Sequence, residues 1–170
     1  MVYGALDFIN DYKNDQPFCL FLPLGYPHPP YCVEDPWYSL IDRDLIPNRY
    51  QYKNWNDKPS LLKGILDGQQ MESWSEDRWR ELRAVYLGMC ARVDYQFGLL
   101  VEQLKKNNLY DNSLIIFLSD HGDFTGDYGL VEKTQNTFQD CLTNIPLVIK
   151  PPKDNISRNG VTDEMVELID

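Results

Sequence analysis

A carboxylate and an imidazole stand side by side at Asp120 and His121, within Ser119-Asp120-His121-Gly122, directly after the apolar run Leu114 to Leu118. Neighbouring Asp and His side chains can offer an oxygen and a nitrogen to one divalent cation, and Gly122 lets the backbone turn away at once. The apolar run is short and continuous rather than alternating. It therefore predicts a strand covered on both faces, as in a parallel sheet flanked by helices. The Asp-His pair then falls just past the strand's carboxyl end, where open α/β sheets bind their ligands. The bland alternative is an ordinary turn, with Asp120 hydrogen-bonded to backbone amides and His121 solvated.

His28 is the only other histidine in 170 residues, and it lies in Gly25-Tyr26-Pro27-His28-Pro29-Pro30-Tyr31. This proline-pinned loop follows Phe18 to Leu24, a second apolar run that reads as a buried strand despite Pro23 near its end. If the two strands are parallel neighbours, both imidazoles open onto one crevice. A histidine in such a loop also has the plainer reading of a packed or solvated ring.

The elements that must position these residues are legible from periodicity. Val2, Leu6, Ile9 and Tyr12 recur at helical spacing and predict a helix over Val2 to Lys13, ended by Asp15-Gln16-Pro17. From Ser75, the series Trp79, Leu82, Tyr86, Met89, Val93, Phe97, Leu100 and Leu104 predicts one long amphipathic helix. Ser73 or Ser75 can cap it, Glu76 and Asp77 suit its positive end, and Lys105 and Lys106 suit its last turn. Asn107-Asn108 can adopt the left-handed conformation that stops it. Ala84, Gly88, Ala91 and Gly98 form a second stripe of small residues, expected to let the helix approach the sheet closely. Asp94, at the edge of the apolar face, is expected to be a hydrogen-bonded structural carboxylate.

Residues 34–70, rich in Pro, Asn, Asp, Tyr and Trp, read as a long irregular insertion with one short helix near Leu61 to Leu66; such excursions often carry selectivity. After the Asp-His pair comes Gly122-Asp123-Phe124-Thr125-Gly126-Asp127-Tyr128-Gly129, then Lys133. Ile145 to Ile149 predicts another strand, stopped by Pro151-Pro152, and a helix is expected to begin at Asp163. The domain reads as open at both ends.

A globular composition, 43% hydrophobic and 13% aromatic, excludes a disordered chain. The net charge of −10 argues against nucleic acid and anionic membranes as partners. Cys19, Cys32, Cys90 and Cys141 have no paired spacing, so buried free thiols are expected rather than a disulfide framework or a structural zinc site. No stretch is long and apolar enough to span a bilayer. The compartment stays open, since an upstream signal would not be visible.

Taken in order, these segments carry a resemblance. Tyr26-Pro27-His28-Pro29-Pro30, a long helix with Asp94 and Gly98-Leu99-Leu100, Leu109-Tyr110-Asp111-Asn112-Ser113, Ser119-Asp120-His121-Gly122, Gly126-Asp127-Tyr128-Gly129-Leu130 with Lys133, and Ile145-Pro146-Leu147-Val148-Ile149 succeed one another. The chain resembles the sulfatase family of the alkaline phosphatase superfamily, in the middle-to-C-terminal part of its catalytic domain. The resemblance implies an α/β fold, a partial alkaline-phosphatase-like three-layer sandwich with a mostly parallel sheet flanked by helices. Residues 1–170 would be a single incomplete catalytic domain. Asp120 and His121 look like the second pair of metal ligands. His28 looks like the histidine that contacts the sulfate and can assist the leaving oxygen, and Lys133 like the lysine that binds a sulfate oxygen.

That family carries its nucleophile as formylglycine, made from a cysteine or serine in C-x-P-S-R, and a first pair of aspartate ligands near its N-terminus. Neither is found in this sequence. The expectation is thus a fragment of a metal-dependent sulfuric ester hydrolase, inactive alone and a weak metal binder at best. The resemblance favours calcium, with manganese or zinc compatible with an imidazole ligand. The implied partners are a sulfate ester substrate and, to cover exposed strand edges, the rest of the domain or a second copy. Two alternatives stay open: a phosphonate monoester or phosphodiester hydrolase of the same superfamily, and a non-catalytic truncated binding module.

Overall fold

The computed structural model describes residues 1–13, 16–52, 54–134, 137–155 and 159–169. Its spine is the long helix predicted from periodicity, Glu76–Lys106, here α4. At 31 residues it is roughly 46 Å long. Of the two candidate caps, Ser75 takes the role, its hydroxyl accepting from the Arg78 amide at 3.3 Å. Glu76 and Asp77 occupy the first turn and Lys105 and Lys106 the last, each favourable to the helix dipole. Asn108 stops the helix in the left-handed region at φ 58°.

Helix α1, Val2–Asp11, lies on the C-terminal half of α4, with Val2, Ala5 and Ile9 buried against Leu100. It ends two residues before the expected Lys13; Asp15, expected to help end it, lies outside the described residues. Asn107 completes the junction. Its side-chain amide donates to the carbonyls of Ile9 at 3.0 Å and Asn10 at 3.4 Å, two acceptors that the end of α1 leaves unpaired.

The small-residue stripe serves a different neighbour from the one expected. A Cβ on Gly88 would lie 2.6 Å from the Trp37 carbonyl oxygen, so the close approach is to helix α2, Trp37–Leu40, and not to the sheet. Gly98 is exposed, and a Cβ placed there would have nothing within 4 Å. Asp94 is exposed as well and carries no structural hydrogen bond among the described residues.

Residues 34–70 are more ordered than the composition indicates. They hold α2, a 3-10 turn at Arg43–Leu45 and α3, Ser60–Gln69, longer than the short helix expected there. Arg43 grips Glu81 through two contacts of 3.0 Å, Arg49 meets Glu76 at 2.7 Å, and Arg92 meets Glu34 at 2.9 Å. Leu62 and Leu66 of α3 then form a buried cluster with Phe124, Leu130 and Leu142. The α3 end of this segment is therefore the floor beneath the loop that follows the Asp-His pair.

Both expected strands around that loop form. β1, Ile115–Leu118, pairs antiparallel with β2, Leu147–Lys150, in the register Ile115 to Lys150 through Leu118 to Leu147. The pairing is antiparallel and β1 is covered on one face only. Phe117 packs on Phe97 of α4 with ring centroids 5.2 Å apart, while Ile116 and Leu118 on the opposite face are exposed. Phe18 to Leu24, expected as a parallel neighbour, joins no ladder among the described residues. A strand needs a hydrogen-bonded neighbour, and here Leu22 and Leu24 pack onto the α1–α4 cluster while Phe21 faces out, 84% exposed. The helix expected from Asp163 does not form among residues 159–169, which are exposed throughout; Asp170 lies outside the described residues.

Candidate active site

Two loops 105 residues apart in sequence bring His28 and Lys133 together, with Lys133 Nζ 2.9 Å from His28 Nε2. The other ring nitrogen, Nδ1, is 2.8 Å from the Pro29 carbonyl oxygen. A carbonyl only accepts and an ammonium only donates, so Nδ1 carries the hydrogen and Nε2 presents its lone pair to Lys133. Both side chains are exposed, so an anion can reach them.

Asp120 and His121 are likewise adjacent, but as a unit of their own. The Asp120 carboxylate accepts from the His121 amide at 3.0 Å, and its other oxygen lies 3.8 Å from His121 Nε2. His121 Nδ1 lies 2.7 Å from the Gly122 carbonyl oxygen, which fixes the hydrogen there and leaves Nε2 free to ligate. Ser119 Oγ donates to the His121 carbonyl at 2.6 Å. The turn reading and the ligand reading are thus compatible. A carboxylate oxygen and an unprotonated Nε2 on the same side fit a divalent cation. Among the described residues no group of three or more His, Cys, Asp or Glu side chains converges to hold a metal ion, so the pair offers two donors and not a complete coordination shell.

Gly122 has a different duty from the one expected. Its amide donates to the Leu142 carbonyl at 2.8 Å, and a Cβ there would lie 1.9 Å from the Cys141 carbonyl oxygen. The requirement is close approach to helix α5, Asp140–Thr143, rather than freedom to turn.

Three residues that the sequence reading did not single out tie the loops together. The Tyr31 hydroxyl lies 2.9 Å from each carboxylate oxygen of Asp123 and accepts from the Glu132 amide at 2.9 Å. Burial pushes the Asp123 carboxyl above the usual range and, with the neighbouring Asp123 charge, pushes the Tyr31 phenol well above its own. Gln69, last residue of α3, brackets Val131 with both arms of its amide, donating to the Val131 carbonyl at 3.0 Å and accepting from its amide at 3.1 Å. A tyrosine three positions after His28 and an aspartate two after His121 were visible as residues. Only their meeting was not.

All four cysteines are free, but Cys19 and Cys32 are exposed rather than buried as expected, and the two less exposed thiols are poorly suited to attack. Burial pushes Cys90 and Cys141 up to about 11, which keeps them protonated at neutral pH. None of the four cysteines stands in a C-x-P-S-R context, so the residues present do not accommodate formylglycine chemistry. A surface hollow bordered by Asp67, Gln70, Glu72 and Ser73 contains none of the paired residues.

A family model described as Sulfatase matches residues 1–170. The chain belongs to the sulfatase family. The sulfatase domain is 30% identical over 167 residues to a "Sulfatase" of Formosa agariphila, covering 95% of this chain and 32% of that protein. It is 29% identical over 174 residues to the "Multifunctional alkaline phosphatase superfamily protein PehA" of Trinickia caryophylli, covering 93% and 33%. Among solved structures it is similar to the phosphonate monoester hydrolase of Agrobacterium radiobacter, at 27% identity and a TM-score of 0.75 over 89% of this chain and 32% of that one. The fold is accordingly a partial alkaline-phosphatase-like α/β architecture, a small sheet flanked by helices. The chain spans about a third of the length of the relatives it matches. Among the described residues no helix is long and apolar enough to cross a membrane.

Proposed function

We propose that the protein carrying this sulfatase domain hydrolyses sulfate monoesters, with His28 and Lys133 on the sulfuryl group and Asp120 and His121 as two ligands of a divalent cation. The observation that carries this reading is the 2.9 Å approach of Lys133 Nζ to His28 Nε2, two groups suited to an anionic oxygen and its leaving group. Lys133 offers its ammonium to a non-bridging oxygen. With Nδ1 engaged by Pro29, Nε2 is the nitrogen that faces the leaving oxygen; it holds a lone pair toward Lys133, so His28 passes a proton from there only as the imidazolium, after Nε2 has first taken one up. Asp120 and His121 Nε2 would hold the cation, and when bound it would polarise sulfuryl oxygens as a Lewis acid. Calcium is the ion we favour, with manganese or zinc as alternatives for an imidazole-containing set. The nucleophile is not among these residues, and no attacking step is assigned to them. Domain 1–170 is read as one part of the catalytic unit, with residues 34–70 as an insertion within it.

A second reading is hydrolysis of phosphonate monoesters, favoured by the similarity to the Agrobacterium radiobacter phosphonate monoester hydrolase. Initial rates of the whole protein on an aryl sulfate and on an aryl phosphonate monoester separate the two. The sulfatase reading expects the sulfate ester to be the faster substrate, and expects Lys133→Ala to lower its kcat/KM by roughly a hundredfold, as loss of one charge-stabilising donor does. Faster turnover of the phosphonate monoester would move the assignment to the second reading. No turnover of either ester would leave a non-catalytic module.

A further inference from the structure

We infer that Tyr31 is a positioning residue whose hydroxyl, clamped between Asp123 and the Glu132 backbone, sets Lys133 against His28. The clamp is closed on both sides of one residue. The Glu132 amide donates to the Tyr31 hydroxyl at 2.9 Å, and the Phe124 amide donates to the Glu132 carbonyl at 3.0 Å. Between these two bonds Glu132 sits at φ 62°, a left-handed conformation disfavoured for any residue with a side chain. That conformation turns the chain sharply at the residue before Lys133. Relaxation of Glu132 to ordinary backbone angles would swing the Lys133 side chain away from His28.

The second arm of the clamp reaches the other loop. Tyr31 follows His28 by three residues in the same proline-pinned segment, and its ring lies edge-on to Tyr86 of α4, with centroids 6.3 Å apart. Asp123 is itself held in place by accepting from the Thr125 amide at 2.8 Å. One phenol oxygen therefore registers three things: the loop of His28, the loop of Lys133, and the segment that continues from Asp120 and His121. The hydroxyl gives its one hydrogen to Asp123 and accepts from the Glu132 amide, so it has no hydrogen left to offer a substrate oxygen and acts through Lys133.

The functional consequence rests on reading His28 and Lys133 as substrate contacts, whereas the clamp itself does not. The test therefore has two readouts in the whole protein. The first is the 15N signal of the His28 imidazole, assigned with His28→Gln. Lys133→Ala is expected to shift the His28 Nε2 signal, and Tyr31→Phe, which keeps the ring and removes only the hydroxyl, is expected to shift it in the same direction. Adding Glu132→Gly should return the signal toward wild type, because glycine accepts the left-handed angle without the clamp. This double variant also covers the case in which Tyr31→Phe alone does not fold. The second readout is kcat/KM on the better ester. Tyr31→Phe should lower it roughly tenfold, the scale of one lost hydrogen bond to a positioned group, and should cost less than about twofold more in a Lys133→Ala background. An unmoved His28 signal in Lys133→Ala or in Tyr31→Phe would overturn the proposal, as would no recovery in the double variant or fully additive kinetic losses. A protein that turns over neither ester but shows the expected imidazole shifts would refute the proposed function and leave the clamp standing.

Discussion

Replacing Gly122 by alanine tests the packing that supports the Asp-His pair. The new methyl would lie 1.9 Å from the Cys141 carbonyl oxygen, 2.9 Å from its carbon and 3.2 Å from Leu142 Cα, all backbone atoms that cannot rotate away. To move from 1.9 Å to the 3.0 Å below which real Cβ contacts essentially do not occur, the two segments of chain must part by at least 1.1 Å. That displacement also breaks the 2.8 Å hydrogen bond from the Gly122 amide to the Leu142 carbonyl. Overpacking costs about 1–3 kcal/mol and the lost bond about 1 kcal/mol, so Gly122→Ala should destabilise by about 2–4 kcal/mol. Gly98→Ala supplies the control. It lies in α4 with nothing within 4 Å, so the same methyl should stabilise by about 0.5–1 kcal/mol through helix propensity alone. Urea unfolding of the two variants beside the wild type, followed by circular dichroism, gives both values. A Gly122→Ala midpoint within error of wild type would refute the close-approach argument, and opposite signs for the two glycines would support it.

Gln69→Ala removes both bonds to the Val131 backbone at a residue only 5% exposed; we expect a loss of about 2 kcal/mol in the same assay, and a loss under about 0.5 kcal/mol would show that water replaces the bracket. Alkaline titration should unfold the protein in a defined window. Burial pushes the Cys90 and Cys141 thiols from 9.0 to about 11 and the Tyr128 phenol from 10.0 to about 12, with Tyr31 and Tyr86 raised as well. Each group releases its proton earlier in the unfolded chain, so the stabilisation is complete below about 9 and is lost as pH rises through about 12. Thermal midpoints that stay flat across that range would contradict the burial of these groups.

The features legible in the sequence are those with a local cause. Helix α4 is specified by a three-to-four-residue apolar repeat, a serine cap and an asparagine stop, all read within one stretch of chain, and the observed bounds follow. β1 and β2 follow from short apolar runs closed by Ser119 and by Pro151-Pro152. The ordered segments were also enough to place the chain in its family. Local reasoning was weaker wherever a neighbour decides. Phe18 to Leu24 has the composition of a strand but no ladder among the described residues, and the small-residue stripe meets Trp37 instead of the sheet.

What only the tertiary structure decided is which distant side chains meet. His28 and Lys133 are residue types suited to an anion, but their 2.9 Å contact depends on Tyr31 clamping Glu132, on Gln69 bracketing Val131, and on α3 closing beneath Phe124 and Leu130. Each of these contacts joins distant stretches of chain and leaves no period in the sequence, because a hydrogen bond formed on loop closure constrains two positions and says nothing about those between. The sequence alone determined the helices, the strand ends and the chemical types of the site residues; their register was decided by long-range packing and backbone hydrogen bonds that exist only once the chain has closed on itself.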